Sequence, residues 1–227
     1  MSLDPNLPVI AVVPAAGVGK RMGEALPKQY LPLKGRPILS HTLSRLLQHP
    51  AITRVVVALG PEDGYFDDLP ESRHPKLTRV IGGSERADSV LRALETIEEE
   101  GAWALVHDAA RPCLSDEDIA LLLHQCGDQG ALLAAPVRDT MKRADAHGRV
   151  DHTVERAALW HALTPQLFPA QALRDALRQA KASGAEITDE SSAMERLGWK
   201  PILVPGRVDN IKVTHPDDLR LAALFLA

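Results

Sequence analysis

The chain is short of cysteine, of aromatic residues, of long apolar runs and of excess positive charge, and each shortage excludes something. It has two cysteines, Cys113 and Cys126. Two thiols cannot build a disulfide framework, and they lack the paired spacing of a metal site. They read as reduced cysteines, with a cytoplasmic location expected. No segment approaches the roughly 20 apolar residues a membrane span needs. The opening "MSLDPNLPVIAVV" has no basic leader, which argues against a signal peptide. Aromatics make up 4% and the formal net charge is −4. A nucleic-acid binder would carry a basic face and stacking platforms, so neither nucleic acid nor membrane is expected as a partner.

What is present is ordinary globular composition, 45% hydrophobic and 25% charged over 227 residues. A chain of this length hides roughly 70–75% of its unfolded surface and needs no covalent staple. The expectation is one domain over residues 1–227. Short apolar runs at Val9–Val13, Arg54–Leu59, Leu77–Ile81, Ala102–Val106 and Ala131–Ala135 read as strands, several of them buried on both faces. Between them, Ile38–Gln48, Glu85–Glu99 and Asp116–Gln125 have helical periodicity, and Ser115 is placed to cap the last. Helices near Pro169–Ser183 and Pro216–Leu226 enclose one or two further strands, including Ile202–Val204. The alternation predicts an α/β fold with a doubly wound, mostly parallel sheet and helices on both faces. Ligands in such sheets sit beyond the carboxyl ends of the strands.

One stretch breaks the pattern. "VRDTMKRADAHGRVDHTVER", about residues 137–157, is crowded with charge and holds His147-Gly148 where a turn fits. It reads as a protruding polar β-hairpin, either a solvated excursion or an arm that reaches a partner.

The glycine-rich loop after the first strand, "VIAVVPAAGVGKRMG", fails two phosphate-binding templates. A dinucleotide fingerprint needs a third glycine where Met22 stands, and no acidic residue follows at the required distance. A P-loop needs a glycine where Pro14 stands and a hydroxyl where Arg21 stands. What remains is still coherent: Gly17 and Gly19 leave backbone N–H groups open to an anion. Lys20, Arg21 and Lys28 add charge that only Glu24 offsets locally. A triphosphate fits that excess, although a glycine turn with solvated basic residues would look the same in isolation.

Further chemistry lies at other strand ends. "VHDAARP" puts Asp108 directly after a strand, beside small Ala109 and Ala110, where it can hold a cation; capping a helix or pairing with Arg111 is the plainer alternative. "GRVDNIKV" supplies Asp209 and Lys212. Magnesium commonly takes one or two carboxylates and completes its shell with substrate phosphates, a requirement that Asp108 and Asp209 meet if the fold joins them. "IGGSERADSV" repeats the strand–glycine–helix arrangement, with Ser84 as a candidate N-cap and Arg86 and Ser89 able to face a ligand. His107 and His161 have no nucleophile or metal spacing around them and read as structural.

Taken together, "PAAGVGKRMG", "PKQYLPLKGRPIL", "GGSERADSV", "HDAARP", "RDTMKRA", "TVERAALWHALTPQ", "ITDE" and "GRVDNIKVTHPDDL" occur in one order. In that order the chain resembles 2-C-methyl-D-erythritol 4-phosphate cytidylyltransferases over almost its whole length. The resemblance implies transfer of CMP from CTP to methylerythritol phosphate, in non-mevalonate isoprenoid biosynthesis, with a magnesium-like ion. It implies that Pro14, Ala15, Ala16, Gly17, Gly19 and Lys20 hold CTP, with Gly82, Gly83 and Ser89 near the cytosine. Arg21 and Lys28 would stabilise charge on the α-phosphate. Asp108 would organise magnesium, with Asp209 as a second candidate. Thr140, Arg156, Thr164, Thr188, Lys212 and Arg111 would surround the sugar phosphate. The charged hairpin would embrace a second subunit, so that Thr140 and Arg156 complete the neighbour's site in a homodimer.

Overall fold

Alternation along the first strand sets the architecture. In β1 (Val9–Ala15), Val9, Ala11, Val13 and Ala15 face one side and Ile10 and Val12 the other, and all are buried. Successive strand residues point to opposite faces, so a strand apolar on both needs a helix layer on each. The computed structural model describes residues 3–17 and 26–226. The loop residues Gly19, Lys20 and Arg21 lie outside the described residues.

After β1 come β2 (Pro32–Leu33), β3 (Arg36–Pro37), α1 (Ile38–Gln48), β4 (Ile52–Leu59), β5 (Leu77–Ile81), α2 (Arg86–Leu94), β6 (Trp103–Val106) and α3 (Asp116–Gln125). Then follow β7 (Ala131–Pro136), β8 (Met141–Ala144), β9 (Val150–Val154), β10 (Trp160–Pro169), α4 (Ala170–Ala182), α5 (Glu190–Glu195), β11 (Ile202–Pro205) and α6 (Pro216–Phe225). Seven strands form the main sheet in the order β11-β7-β10-β6-β1-β4-β5. Only β10 runs against its neighbours, β6 and β7; the β1–β4, β1–β6, β4–β5 and β7–β11 pairs are parallel.

Leu39, Leu43 and Leu46 of α1 and Ile119 and Leu122 of α3 cover one face. Val90 and Leu94 of α2 and Leu173 and Leu177 of α4 cover the other. This is the expected doubly wound, mixed sheet. A smaller cluster, with Leu33, Ile38, Val213 and Ala222, seats α6 against the β2–β3 ladder. The charged stretch forms a separate hairpin, β8–β9. Its turn is held by Asp145, whose Oδ1 accepts from the His147 and Arg149 N–H groups at 2.8 and 2.9 Å, and by Gly148 at φ +75°. No helix among the described residues is long and apolar enough to cross a membrane.

Three local expectations change. The predicted helix over Glu85–Glu99 stops at Leu94, because Thr96 Oγ1 donates to the Ala93 carbonyl and Arg174 to those of Leu94 and Ile97. Ser84 is not its cap: Glu85 holds that position, and the Ser84 hydroxyl donates to Asp88 instead. Ser115 does cap α3, accepting from the Asp118 N–H at 3.1 Å. The long strand β10 was hidden by Pro165, since an internal proline demotes a run to edge or loop. Its pairing with β7 shifts register between Ala162 and Gln166.

Candidate active site

A cavity of about 530 Å³ opens at the carboxyl ends of β1 and β6 and the start of α2, where a sheet of this kind binds ligands. Pro14, Ala15, Ala16 and Gly17 form one wall, Gly83, Arg86 and Ser89 another, and Asp108, Lys28 and Lys212 bring the charge. Five separate segments therefore converge.

The glycines of the second loop are there because side chains are not. A Cβ on Gly82 would stand 2.6 Å from the Ala16 Cβ and 2.8 Å from Ser89 Oγ. On Gly83 it would stand 2.2 Å from the Asp88 Cβ. The two glycine loops thus press against each other beside the cavity. Ser89 is buried and fixes the second loop, its Oγ accepting from the Gly83 N–H at 3.0 Å and donating to the Glu85 carbonyl. Gln29 ties the first loop to the turn that carries Lys28, donating from Nε2 to the Ala15 carbonyl at 2.9 Å. It is buried and lines the cavity; it stands inside the "PKQYLPLKGRPIL" motif, but its neutral side chain does not single it out there. Lys28 donates to the Val213 carbonyl at 3.2 Å, joining that turn to the loop that carries Lys212.

Asp108 is the electrostatic centre. Its Oδ1 accepts from Arg86 Nε at 2.9 Å, and its Oδ2 from Lys212 Nζ at 2.9 Å and Arg111 Nε at 3.4 Å. Burial pushes its carboxyl up, but Arg86, Lys212 and Arg111 outweigh burial and hold it well below the usual carboxylate range. It is therefore a permanent anion. Arg86 also grips Glu190, buried at the start of α5, at 2.7 and 3.1 Å. Glu190 ends the "ITDE" motif, yet only Thr188 of that motif reads as a site residue in the sequence, and the six-residue helix gives no period to place Glu190. Burial lowers the pKa of Arg86, but Glu190 and Asp108 outweigh that and keep it charged.

Behind Asp108 lies a hydrogen-bonded relay. His107 Nε2 donates to the Arg111 carbonyl at 3.0 Å, which leaves Nδ1 to accept from Thr164 Oγ1 at 3.0 Å. Thr164 Oγ1 in turn accepts from the Asp108 N–H at 3.1 Å. Burial pushes the His107 pKa down to about 4, so the ring is neutral. His107 is structural, as the sequence implied.

Not every predicted residue reaches the cavity. Thr164 and Arg111 are buried behind Asp108, where Arg111 donates to the Asn210 carbonyl at 2.7 Å. Thr188 is exposed at the start of α5, its N–H donating to Ser192 Oγ. Asp209 does not line the cavity; both its oxygens take the guanidinium of Arg207. Thr140 and Arg156 are exposed at the base of the hairpin, with Arg156 donating to the Arg138 carbonyl. Among the described residues no group of three or more His, Cys, Asp or Glu gathers to hold a metal. Asp108, the buried ionised carboxylate on the cavity wall, would fit magnesium only by giving up one of its cationic partners, with substrate phosphates completing the shell.

The comparisons with known proteins agree with this geometry. The family model for 2-C-methyl-D-erythritol 4-phosphate cytidylyltransferase matches residues 9–227. The enzyme of that name from Shewanella amazonensis is 64% identical over 96% of this chain and 93% of its own, and that of Shewanella oneidensis 62% over 96% and 88%. Among solved structures, a 4-diphosphocytidyl-2C-methyl-D-erythritol synthase superposes with TM-score 0.84 at 38% identity, over 98% of this chain and all of the other. The Francisella tularensis 2-C-methyl-D-erythritol 4-phosphate cytidylyltransferase does so with TM-score 0.84 at 33% identity, over 96% of this chain and all of its own. The chain belongs to the 2-C-methyl-D-erythritol 4-phosphate cytidylyltransferase family.

Proposed function

We propose that this chain transfers CMP from CTP to 2-C-methyl-D-erythritol 4-phosphate, giving 4-diphosphocytidyl-2-C-methyl-D-erythritol and pyrophosphate. One observation beyond family membership carries the reading. A single buried carboxylate, Asp108, and the cations Lys28 and Lys212 share a cavity with two backbone-rich glycine loops. That set suits a polyphosphate and lacks any nucleophile–base pair, and this transfer needs none. The acceptor phosphate is already an anion near neutral pH. One of its oxygens forms a bond to the α-phosphorus of CTP, and the bond from that phosphorus to the pyrophosphate oxygen breaks. The protein's share is alignment and stabilisation of charge on the transferring group.

The family resemblance assigns the roles, and the positions of the described residues support part of that assignment. Pro14, Ala15, Ala16 and Gly17, with Gly19 and Lys20 beyond them, receive the triphosphate. Gly82, Gly83 and Ser89 are assigned to the base from the resemblance; Gly83 and Ser89 line the cavity, and Gly82 packs against Ala16 beside it. Lys28, with Arg21 by the resemblance alone, neutralises charge on the α-phosphate, and Lys212 serves the acceptor phosphate. Asp108 would hold magnesium, which would add positive charge along the triphosphate; Asp209 would join it only by releasing Arg207. Arg111 and Thr164 act by fixing Asp108. Thr188 is assigned to the acceptor by the resemblance alone. Thr140 and Arg156 lie outside their own chain's cavity on an exposed hairpin, which supports a homodimer in which each arm, about residues 137–157, completes the partner's site. A cytoplasmic location belongs to the same reading.

The test is pyrophosphate release from CTP and magnesium with methylerythritol phosphate, compared with ribitol 5-phosphate. Release with the first acceptor is expected. No release, or preference for the second, contradicts the reading. For the arm, mixed Lys28→Ala and Arg156→Ala proteins should regain activity as heterodimers; inactive heterodimers would contradict the shared site.

A further inference from the structure

Glu190 touches no wall of the cavity, yet it is built in more firmly than most residues that do. It opens α5 directly after the Asp189 cap, whose Oδ1 accepts from the Ser192 N–H at 2.9 Å while Ser192 Oγ accepts from the Asp189 N–H. This reciprocal capping fixes the first turn. Gln166 of β10 clamps the same turn from outside, accepting from the Ser191 N–H at 2.8 Å and donating to Asp189 Oδ2 at 2.9 Å. Glu190 itself is 1% exposed. Its two oxygens take two nitrogens of the Arg86 fork, and the third nitrogen of that fork reaches Asp108.

A buried ion pair is weak as a source of stability, since desolvation consumes most of its Coulombic gain. This one has a second carboxylate at its far end, and that carboxylate faces the cavity. We propose that Glu190 is a positioning residue of the transfer reaction, holding the Arg86 guanidinium on Asp108 and off the triphosphate. The inference rests on the cytidylyl-transfer reading. Arg86 lines the cavity and keeps 28% of its side chain exposed, so only its two carboxylates keep it from turning toward a polyanion. Without Glu190 the guanidinium is free to pair with bound CTP. That strengthens ground-state binding and deprives Asp108 of a fixed partner, leaving it to Lys212 and Arg111. Such a change lowers kcat without raising KM for CTP, whereas general loosening of the pocket would raise KM.

The test compares Glu190→Gln, Arg86→Gln and the double variant with the parent chain. Glu190→Gln is expected to lower kcat by roughly 10- to 100-fold, as loss of an outer partner of a ligand-holding group does, with KM for CTP unchanged or lower. The double variant should be no slower than Arg86→Gln alone, because Glu190 acts only through Arg86. In a crystal structure of Glu190→Gln, Arg86 Nε should have left Asp108 Oδ1. An unchanged kcat, a raised KM for CTP, a double variant slower than Arg86→Gln, or an unmoved Arg86 would each overturn the proposal. Should Glu190→Gln fail to fold, the comparison of Arg86→Gln with the double variant decides alone. A parent chain that releases no pyrophosphate would defeat the transfer reading, and the position of Arg86 in the variant crystal would still decide the role of Glu190.

Discussion

Thr164 Oγ1 accepts the backbone N–H of Asp108 at 3.1 Å, and this bond ties β10, the antiparallel strand of the main sheet, to the charged centre of the site. The same hydroxyl donates to His107, so its loss strands two buried groups. Thr164→Val should destabilise the fold by about 1–3 kcal/mol for each group left unpaired and lower turnover by misplacing Asp108. Thr164→Ser should retain both. Urea unfolding and pyrophosphate release check the pair; equal stability of the valine variant and the parent would contradict the relay.

His107 gives the fold an acid-side dependence. Its pKa is pushed down to about 4 in the fold, by burial first, against an ordinary value of 6.5. The unfolded chain therefore binds more protons between those values. Stability is full above about pH 6.5 and falls toward pH 4, by on the order of 3 kcal/mol in all. Asp108, held low in the fold, adds its own loss only below the ordinary carboxylate pKa. Unfolding free energy measured across this range should drop accordingly, and the His107 ring should resist protonation in NMR titration until the low end. A ring titrating near pH 6.5 would contradict its burial as a neutral donor.

Gly82→Ala tests the contact between the two glycine loops. The new Cβ lands 2.6 Å from the Ala16 Cβ, far inside contact distance. Overpacking of this kind costs about 1–3 kcal/mol, and here the displaced element is the first loop. KM for CTP should rise and KM for the acceptor should hold. Ala16→Gly added to the variant should restore part of the loss, since it removes the atom in the way.

Lys212→Met separates charge from scaffolding. The side chain is 40% exposed, and Asp108 keeps Arg86 and Arg111 when Lys212 is lost. Thermal stability should change little, while turnover should fall about 10²- to 10³-fold, the usual result of removing one charge-stabilising donor. A rate equal to the parent's would show that Lys212 serves only to pair with Asp108.

The sequence displayed the sheet well because β1, β4 and β6 are apolar on both faces, and the ends of α1 and α3 matched their expected residues. It hid β10, whose Pro165 breaks the pattern, and α5, too short for a period. Those two omissions concealed one thing: β10 brings Thr164 and Gln166, and α5 brings Glu190, to the same point behind Asp108. Arg111 and Thr164, which the motifs offer as ligands, are buried behind Asp108 and hydrogen-bond to it. Sequence spacing reveals which residues share a loop, but not which stand in front and which behind. Asp209 shows the same limit, since its pairing with Arg207 two residues earlier is invisible without the turn between them.

Nucleotidyl transfer requires attack at the α-phosphorus of CTP. Incubating the chain with magnesium, methylerythritol phosphate and CTP labelled at the α-phosphorus tests it most directly. The label is expected in the cytidylyl sugar product, with the pyrophosphate unlabelled. Label recovered as free CMP, or CTP left intact, would contradict such transfer.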